Sequence, residues 1–164
     1  MSDQLSFSGA FRPIDCDQAA KAQAQSLESD RRRALVRYHA HEEPIQRMLN
    51  AIEPDSYVRP HRHQDPPKLE IFLALKGRGV LLAFDEAGHL KDFLELNADG
   101  PCWGAEIPSG TWHSLISLDA GSVFYEIIEG PYHPATHKDF APWAPPEGSP
   151  SASAYLQQLK EQLS

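Results

Sequence analysis

The chain has 164 residues, of which 41% are hydrophobic and 9% aromatic, and these values are typical of one small globular domain. No apolar run reaches the roughly eighteen residues of a membrane span, and the net charge of −8 argues against a nucleic-acid partner, which would favour a basic surface. Residues 1–4 lack the basic and apolar regions of a signal peptide, and Cys16 and Cys102 resemble ordinary thiols, so we expect a cytoplasmic protein.

Two helices are predicted before residue 56. Asp15 is an N-cap residue type, Gln18 follows three positions later, and the alanines and glutamines beyond it predict a helix over residues 15–29. A second helix is predicted from Pro44 to Ile52, with proline in the first turn and apolar residues three and four positions apart. That apolar stripe, which we interpret as core rather than cofactor contact, consists of Ile45, Met48, Leu49 and Ile52.

From residue 56 to residue 128 the pattern changes to short strands separated by turn residues. The predicted strands cover residues 70–77, 80–84, 90–96, 115–118 and 122–128. Turns are predicted at residues 85–89, 97–101 and 119–121, and His89 in the first of them is expected at the surface. Short strands at such regular spacing predict an all-β sandwich or barrel.

Three histidines and one glutamate in this region have the composition of a metal site. His61 and His63 stand two positions apart, so on a strand their side chains point to the same face. Glu70 opens a buried apolar run, where a carboxylate needs a partner, and His113 follows a Pro-Ser-Gly turn. Imidazole nitrogens with one carboxylate oxygen suit iron, zinc, nickel, copper or manganese rather than calcium or magnesium. The sequence therefore predicts a divalent transition metal.

Glu126 lies in the middle of an apolar strand, where its carboxylate has two alternatives. It either points outwards into solvent or lies near the metal as a hydrogen-bond orienter or general base. We name Glu126 and Arg59 as the candidate catalytic residues.

The segment after residue 130 is rich in proline and is expected to wrap the outside of the barrel. His133 and His137 have the four-residue spacing of helical metal ligands, but Pro134 between them disfavours a helix. A final helix is predicted over residues 154–163, and its apolar side chains could dock on the core or on a second subunit. These side chains are Tyr155, Leu156, Leu159 and Leu163.

The metal-site residues resemble the two motifs of the cupin superfamily. His-x-His, Glu70 with a glycine seven positions later, and Pro108-x-Gly110-x-x-His113 match its spacings. The resemblance implies a double-stranded β-helix (cupin jelly roll) with short N-terminal helices and a C-terminal helix. It also implies a metal bound by His61, His63, Glu70 and His113.

The chain departs from the cupin pattern in two places. Six residues separate His63 from Glu70, two or three more than is usual, and Ser117 stands where an asparagine often follows the second motif. Asp65 is the rival ligand, because it would share a face with His61 and His63 if the strand continued. The two prolines that follow Asp65 argue against that continuation.

A narrower resemblance is to the WbuC-type cupin metalloproteins, often encoded beside genes for O-antigen and other surface-polysaccharide synthesis. It covers about residues 30–148 and is carried by residues 31–33, 47–54, 57–63, 129–132 and 143–145. We expect an N-terminal helical extension over residues 1–55 packed on the barrel, a cupin barrel core over 56–130, and a tail with a short helix over 131–164.

Arg31, Arg32 and Arg33 form a basic run with two interpretations. They could be solvated charges at a helix end or strand start. Alternatively, one or two of them reach the barrel mouth with Arg59 or Arg62 and hold a carboxylate, a phosphate or a sugar-nucleotide diphosphate.

The leading functional hypothesis is a metal-binding cupin that acts on, or senses, a sugar or sugar-nucleotide intermediate of surface-polysaccharide (O-antigen) biosynthesis. The alternatives are an iron-dependent dioxygenase of a small organic acid or thiol, and a non-catalytic small-molecule binding module. Whether the protein is an enzyme stays open, although a metal with an unfilled position could polarise an oxygen or activate water. We expect an anionic or sugar-like small molecule as partner. The resemblance further implies a homodimer.

Overall fold

The computed structural model describes residues 6–163, so the expectation about residues 1–4 lies outside the described part of the chain. Within residues 6–163, a helix lies near each end and ten strands lie between the helices. The helices are α1 (Cys16–Glu28) and α2 (Ala152–Glu161). The strands are β1 (Arg33–Arg37), β2 (Ile45–Ile52), β3 (His61–Arg62), β4 (Glu70–Lys76), β5 (Arg78–Phe84), β6 (Leu90–Asn97), β7 (Gly104–Ile107), β8 (Trp112–Ser117), β9 (Ser122–Glu129) and β10 (Asp139–Phe140).

The strands form two five-stranded sheets in which every pairing is antiparallel. Sheet A has the order β1-β2-β9-β4-β7, and sheet B has the order β10-β3-β8-β5-β6. Several strands that pair in a sheet are distant in sequence. For example, β2 pairs with β9, and β3 pairs with β8. The predicted all-β fold of the jelly-roll type with a C-terminal helix is confirmed, but the described residues have one N-terminal helix where short N-terminal helices were predicted.

The inner faces of the two sheets share an apolar core. Ile52, Phe72 and Phe124 of sheet A pack with Leu81 and Leu115 of sheet B, and all five side chains are buried. This core fills only part of the space between the sheets. The remaining space is the cavity that contains the predicted metal residues.

Helix α1 confirms the prediction for residues 15–29. The Asp15 carboxylate accepts a hydrogen bond from the backbone N–H of Gln18 at 3.0 Å, which satisfies one of the free donors of the first turn. Ala22 is fully buried and packs with Leu49 and Val123, so α1 covers the outer face of sheet A.

The predicted helix from Pro44 to Ile52 is wrong, because residues 45–52 form strand β2 between β1 and β9. Residues alternate along this strand between the two faces of sheet A. Met48 lines the cavity on the inner face, whereas Leu49 packs under α1 on the outer face. Since both faces are covered, apolar residues occur at both positions and imitate the helical spacing.

The later strand predictions are confirmed as β4, β5, β6, β8 and β9. The predicted turn at residues 85–89 connects β5 to β6, and the Asp85 carboxylate accepts the backbone N–H of His89 at 2.9 Å. His89 is exposed, as expected.

The tail and α2 cover the outer face of sheet B. Leu156 and Leu159 of α2 are buried against Leu82 and Ile116, and Trp143 of the tail packs in the same cluster. The apolar side chains of α2 therefore dock on the core of their own chain, which is the first of the two predicted alternatives. No helix within residues 6–163 has the length and apolar character needed to cross a membrane.

Candidate metal centre

The pairing of β3 with β8 begins the site, because it places His61 directly opposite His113. His63 follows β3 immediately, and Glu70 is the first residue of β4 in the other sheet. Each of the four side chains is 4% exposed or less. Residues from both sheets thus converge on one buried point.

The ligand atoms of this group lie within 4.8 Å of one another. Oε2 of Glu70 lies 2.9 Å from Nε2 of His113 and 3.2 Å from Nε2 of His63. Two ligand atoms about 2.1 Å from one metal ion and at right angles to each other are about 3 Å apart, so these distances match adjacent ligands of one ion.

Backbone carbonyls orient all three imidazoles. Nδ1 of His61 lies 2.8 Å from the carbonyl oxygen of Arg59, and Nδ1 of His113 lies 2.8 Å from that of Thr111. Nδ1 of His63 lies 2.5 Å from the carbonyl oxygen of His137. A carbonyl only accepts, so each Nδ1 carries the hydrogen and each Nε2 is left with a lone pair for a metal.

The buried atoms at the centre test whether a metal fits. Nε2 of His63, Nε2 of His113 and Oε2 of Glu70 have no hydrogen-bond partner. Because Nδ1 of each histidine carries the hydrogen, the two Nε2 atoms and Oε2 of Glu70 are all hydrogen-bond acceptors that face one another. A proton or a metal ion therefore has to lie between them. Three imidazoles and one carboxylate are a ligand set that divalent transition metals accept, so the residues fit such an ion.

The carboxylate in the group is Glu70 rather than Asp65. Asp65 is exposed and lies outside the cluster, because the chain does not continue as a strand beyond Arg62. Burial alone would raise the pKa of Glu70, but its contacts with His113 and His63 outweigh burial and hold that pKa well below its usual range.

A cavity of about 630 Å³ opens above the four residues. Its lining is richer in cations than in carboxylates, although the whole chain is acidic. The cationic residues are Arg31, Arg33, Arg37, Arg59 and Lys138, and the acidic ones are Glu70, Glu126 and Glu147.

Glu126 faces this cavity, so the alternative of outward exposure is wrong. Its side chain is buried, and Oε2 accepts a hydrogen bond from the amide nitrogen of Asn50 at 3.0 Å. Burial, together with the negative charge of Glu70, raises the pKa of Glu126 to about 8. Glu126 is thus a carboxylic acid that can hold a proton near neutral pH.

Arg59 also reaches the cavity, but its guanidinium is already engaged. It donates to the carbonyl oxygen of Ala141 at 2.9 Å and lies 5.2 Å from the ring centre of Phe140. Arg62 does not line the cavity, because it stacks on Trp112 at 4.1 Å and pairs with Asp139 at 2.8 Å.

Each of the two interpretations of the basic run, residues 31–33, holds for part of it. Arg31 and Arg33 line the cavity, and both pair with Glu147, Arg31 at 2.8 Å. Arg32 pairs with Asp55 at 3.0 Å outside the cavity. Two of the three arginines therefore reach the mouth, where Glu147 offsets part of their charge.

Sequence reasoning missed three contributors to the site. Asn50 was hidden in the segment predicted as a helix, although its two-residue spacing from Met48 was the signal for a shared strand face. Lys138 and the carbonyl of His137 lie in the proline-rich tail, where no pattern indicates which residue points inwards. His133 is exposed, and neither it nor His137 joins the metal group.

Comparison with known proteins adds a family and a fold. A family model described as "Domain of unknown function (DUF6016)" matches residues 14–96, just over half of the chain. No curated protein matches the sequence.

Solved structures resemble the chain at low sequence identity. A crystal structure of the capsular polysaccharide assembling protein CapF from Staphylococcus aureus is 20% identical, with a TM-score of 0.54 over 68% of this chain and 30% of that chain. CapF with the inhibitor 3-isopropenyl-tropolone gives the same identity and TM-score over 68% and 32%. A mutant oxalate decarboxylase from Bacillus subtilis is 16% identical, with a TM-score of 0.50 over 66% and 27%.

This chain spans about a third or less of the length of those structures. At such identities the likeness concerns the fold alone. The similarity agrees with the two-sheet jelly roll described above.

Proposed function

Since the chain belongs to the family described as "Domain of unknown function (DUF6016)", we propose its function from the site rather than from the family description. The protein is a metal-binding cupin that acts on, or senses, a small anionic molecule. The ligand class is a sugar or sugar-nucleotide intermediate of surface-polysaccharide synthesis, in line with the sugar context that the resemblance to WbuC-type cupins implies. A cytoplasmic location and a homodimer are part of the same proposal.

One observation carries the metal assignment. The buried, unpartnered Nε2 atoms of His63 and His113 face the carboxylate of Glu70, with His61 completing the set. These four residues would hold iron, zinc, nickel or manganese. Such an ion, when bound, would act as a Lewis acid or lower the pKa of a bound water.

The residues around the centre have separate roles in this proposal. Glu126 holds a proton on its carboxyl group near neutral pH and can donate it to, or accept it from, a ligand above the metal residues. Asn50 fixes the orientation of that carboxyl group by its 3.0 Å hydrogen bond. Arg59 presents a fixed positive charge at the cavity wall.

The size and charge of the cavity support a small anionic ligand. A volume of about 630 Å³ falls within the range of about 300–1,000 Å³ that small-molecule sites occupy. The cationic lining would attract anions to an otherwise acidic protein. A sugar carrying a phosphate, a diphosphate or a carboxylate meets both conditions.

A second candidate, an iron-dependent dioxygenase of a small organic acid or thiol, is favoured by the ligand set itself. Three histidines and one glutamate leave positions free on an ion that accepts five or six ligands, and iron could use them. A third candidate is a non-catalytic module in which the metal fixes the cavity mouth.

Metal analysis followed by ligand and oxygen measurements separates the three candidates. Purified protein, with and without its metal, is titrated calorimetrically with sugar nucleotides and sugar phosphates, and oxygen uptake is followed with organic acids and thiols. We expect binding of a sugar phosphate or sugar nucleotide by the metal-loaded form. Iron together with substrate-stimulated oxygen uptake would instead establish the dioxygenase, and turnover by the loaded form alone would exclude the non-catalytic module.

A further inference from the structure

Lys138 lies in the tail segment that crosses the metal end of the cavity. On one side of it, the carbonyl oxygen of His137 accepts a hydrogen bond from Nδ1 of His63 at 2.5 Å. On the other side, β10 pairs with β3, and Phe140 lies opposite His61 in this pairing. The backbone around Lys138 is therefore attached to the side chain of His63 and to strand β3, which carries His61, and the Lys138 side chain lines the cavity.

The ammonium group of Lys138 makes no hydrogen bond and no close ion pair with any residue from 6 to 163. Arg31 and Arg33 pair with Glu147, and Arg59 donates from Nη2 to a backbone carbonyl while its buried Nε has no hydrogen-bond partner. A partly buried cation without a hydrogen-bonded partner is unfavourable, and an incoming anion would remove that cost.

Lys138 lines the same cavity as His61, Glu70 and His113. The two carboxylates that act on Lys138 are otherwise occupied, since Glu70 belongs to the metal group and Glu126 accepts from Asn50. The cavity wall that contains His61, Glu70 and His113 therefore also contains a cation, and no carboxylate of the described residues forms a hydrogen bond with it.

We propose that Lys138 determines ligand specificity by holding an anionic oxygen, of a carboxylate or a phosphoryl group, on a ligand bound at the metal residues. This inference rests on the metal-binding function proposed above and narrows its ligand class to molecules with an anionic group next to the oxygen that binds the metal. A lysine suits this role because its ammonium is a compact charge with three rotatable donors on a flexible stem. The Lys138 ammonium can thus donate to the oxygens of either a carboxylate or a phosphoryl group.

The test uses the full chain loaded with Zn²⁺ and three probes in calorimetric titrations. Glycolate presents a carboxylate beside a hydroxyl group, inorganic phosphate presents a phosphoryl group, and glycerol is neutral. We expect the wild type to bind glycolate, phosphate or both, and not glycerol. The Lys138→Met variant should bind the same anion about tenfold to a hundredfold more weakly, because it loses a charge-assisted hydrogen bond.

Matched variants make the result specific. Lys91→Met removes a charge from an exposed position on β6 and should leave anion affinity unchanged. Lys138→Arg keeps the charge and should retain most of the affinity. Lys138→Gln replaces Lys138→Met if circular dichroism shows that the methionine variant does not fold. The Zn²⁺ content of every variant should equal that of the wild type, because Lys138 is not a ligand.

The outcomes separate this inference from the proposed function. Full Zn²⁺ content with unchanged anion affinity in Lys138→Met, or wild-type protein that binds neither anion, would overturn the role of Lys138 and leave the metal site intact. Wild-type protein that takes up no Zn²⁺ would overturn both. Preference for glycolate or for phosphate would identify the anionic group.

Discussion

At the scale of single residues, the metal centre depends on carbonyl oxygens as much as on histidines. The carbonyls of Arg59 and Thr111 hold His61 and His113 from two positions earlier in the chain. His63 is held instead by His137, which is distant in sequence. Each carbonyl fixes the ring orientation and the protonated nitrogen, and such outer contacts commonly change metal affinity about tenfold to a hundredfold.

The choice of carboxylate gives a first prediction. Glu70→Gln keeps the side-chain shape but removes the charge and one ligand oxygen, so we expect a metal affinity at least tenfold lower than that of the wild type. Asp65→Asn should bind metal normally, because Asp65 is exposed and outside the cluster. Competition with a chelator measures both. Equal affinities in the two variants would contradict the assignment of Glu70.

His39 gives a prediction about pH that is independent of the metal. Burial lowers the pKa of His39, and the charges of Arg37 and Arg47 lower it further, whereas the backbone hydrogen bond with Arg47 and the charge of Glu43 oppose them. The unfolded chain takes up a proton at this residue below about pH 6.5 while the folded chain does not. The free energy of unfolding therefore decreases as the pH falls, by at most about 1.4 kcal/mol per pH unit for one proton.

Urea unfolding of the wild type and His39→Gln at about pH 7 and about pH 5 tests whether the free energy of unfolding decreases as the pH falls. The variant should lose less stability than the wild type between the two pH values. His89→Gln is the control, since His89 is exposed. Identical pH dependence in the wild type and His39→Gln would show that His39 does not contribute.

At the scale of elements, β2 shows where local pattern and tertiary structure conflict. Its spacing of apolar residues is that of a helix, but its neighbours β1 and β9 provide hydrogen bonds on both sides. The inner face carries Gln46 and Asn50 among apolar residues because it borders a polar cavity. Sheet A is covered by a helix on one face and borders the cavity on the other. Its strands therefore lack the simple alternation of apolar and polar residues from which a strand is predicted.

Helix α2 was predicted from sequence, and its docking surface gives a further prediction. Leu159 is 2% exposed and packs in the cluster on the outer face of sheet B. Leu159→Ala should lower the free energy of unfolding by about 2–5 kcal/mol, because it leaves a cavity. Gln158→Ala, an exposed neighbour on the same helix, should change it by less than about 0.5 kcal/mol. A similar small effect of both changes in urea unfolding would mean that α2 does not stabilise the core.

At the scale of the whole molecule, the jelly roll and the grouping of His61, His63, Glu70 and His113 could be predicted, because both depend on short motifs and regular strand spacing. The contributions of Lys138 and Glu147 to the cavity could not. They come from the tail, and only the completed fold brings this segment to the cavity that His61 lines. Long-range proximity of this kind leaves no local pattern in one sequence.

The homodimer stays a prediction, and α2 no longer provides its surface. The apolar side chains of α2 are packed on their own chain, so an interface would have to lie elsewhere. Light scattering at micromolar concentration should give a molar mass about twice the 18.3 kDa of one chain. A mass of one chain would contradict the dimer.

The central claim is that His61, His63, Glu70 and His113 bind one metal ion. The most direct test is the metal content of purified wild type, His63→Ala and His89→Ala by elemental analysis, with circular dichroism as the check on folding. We predict about one equivalent of a divalent transition metal in the wild type and in His89→Ala, whose altered residue is exposed. His63→Ala should be folded and nearly metal-free, because none of the four residues belongs to the apolar core between the sheets. Near-stoichiometric metal in folded His63→Ala, or none in the wild type, would contradict the account.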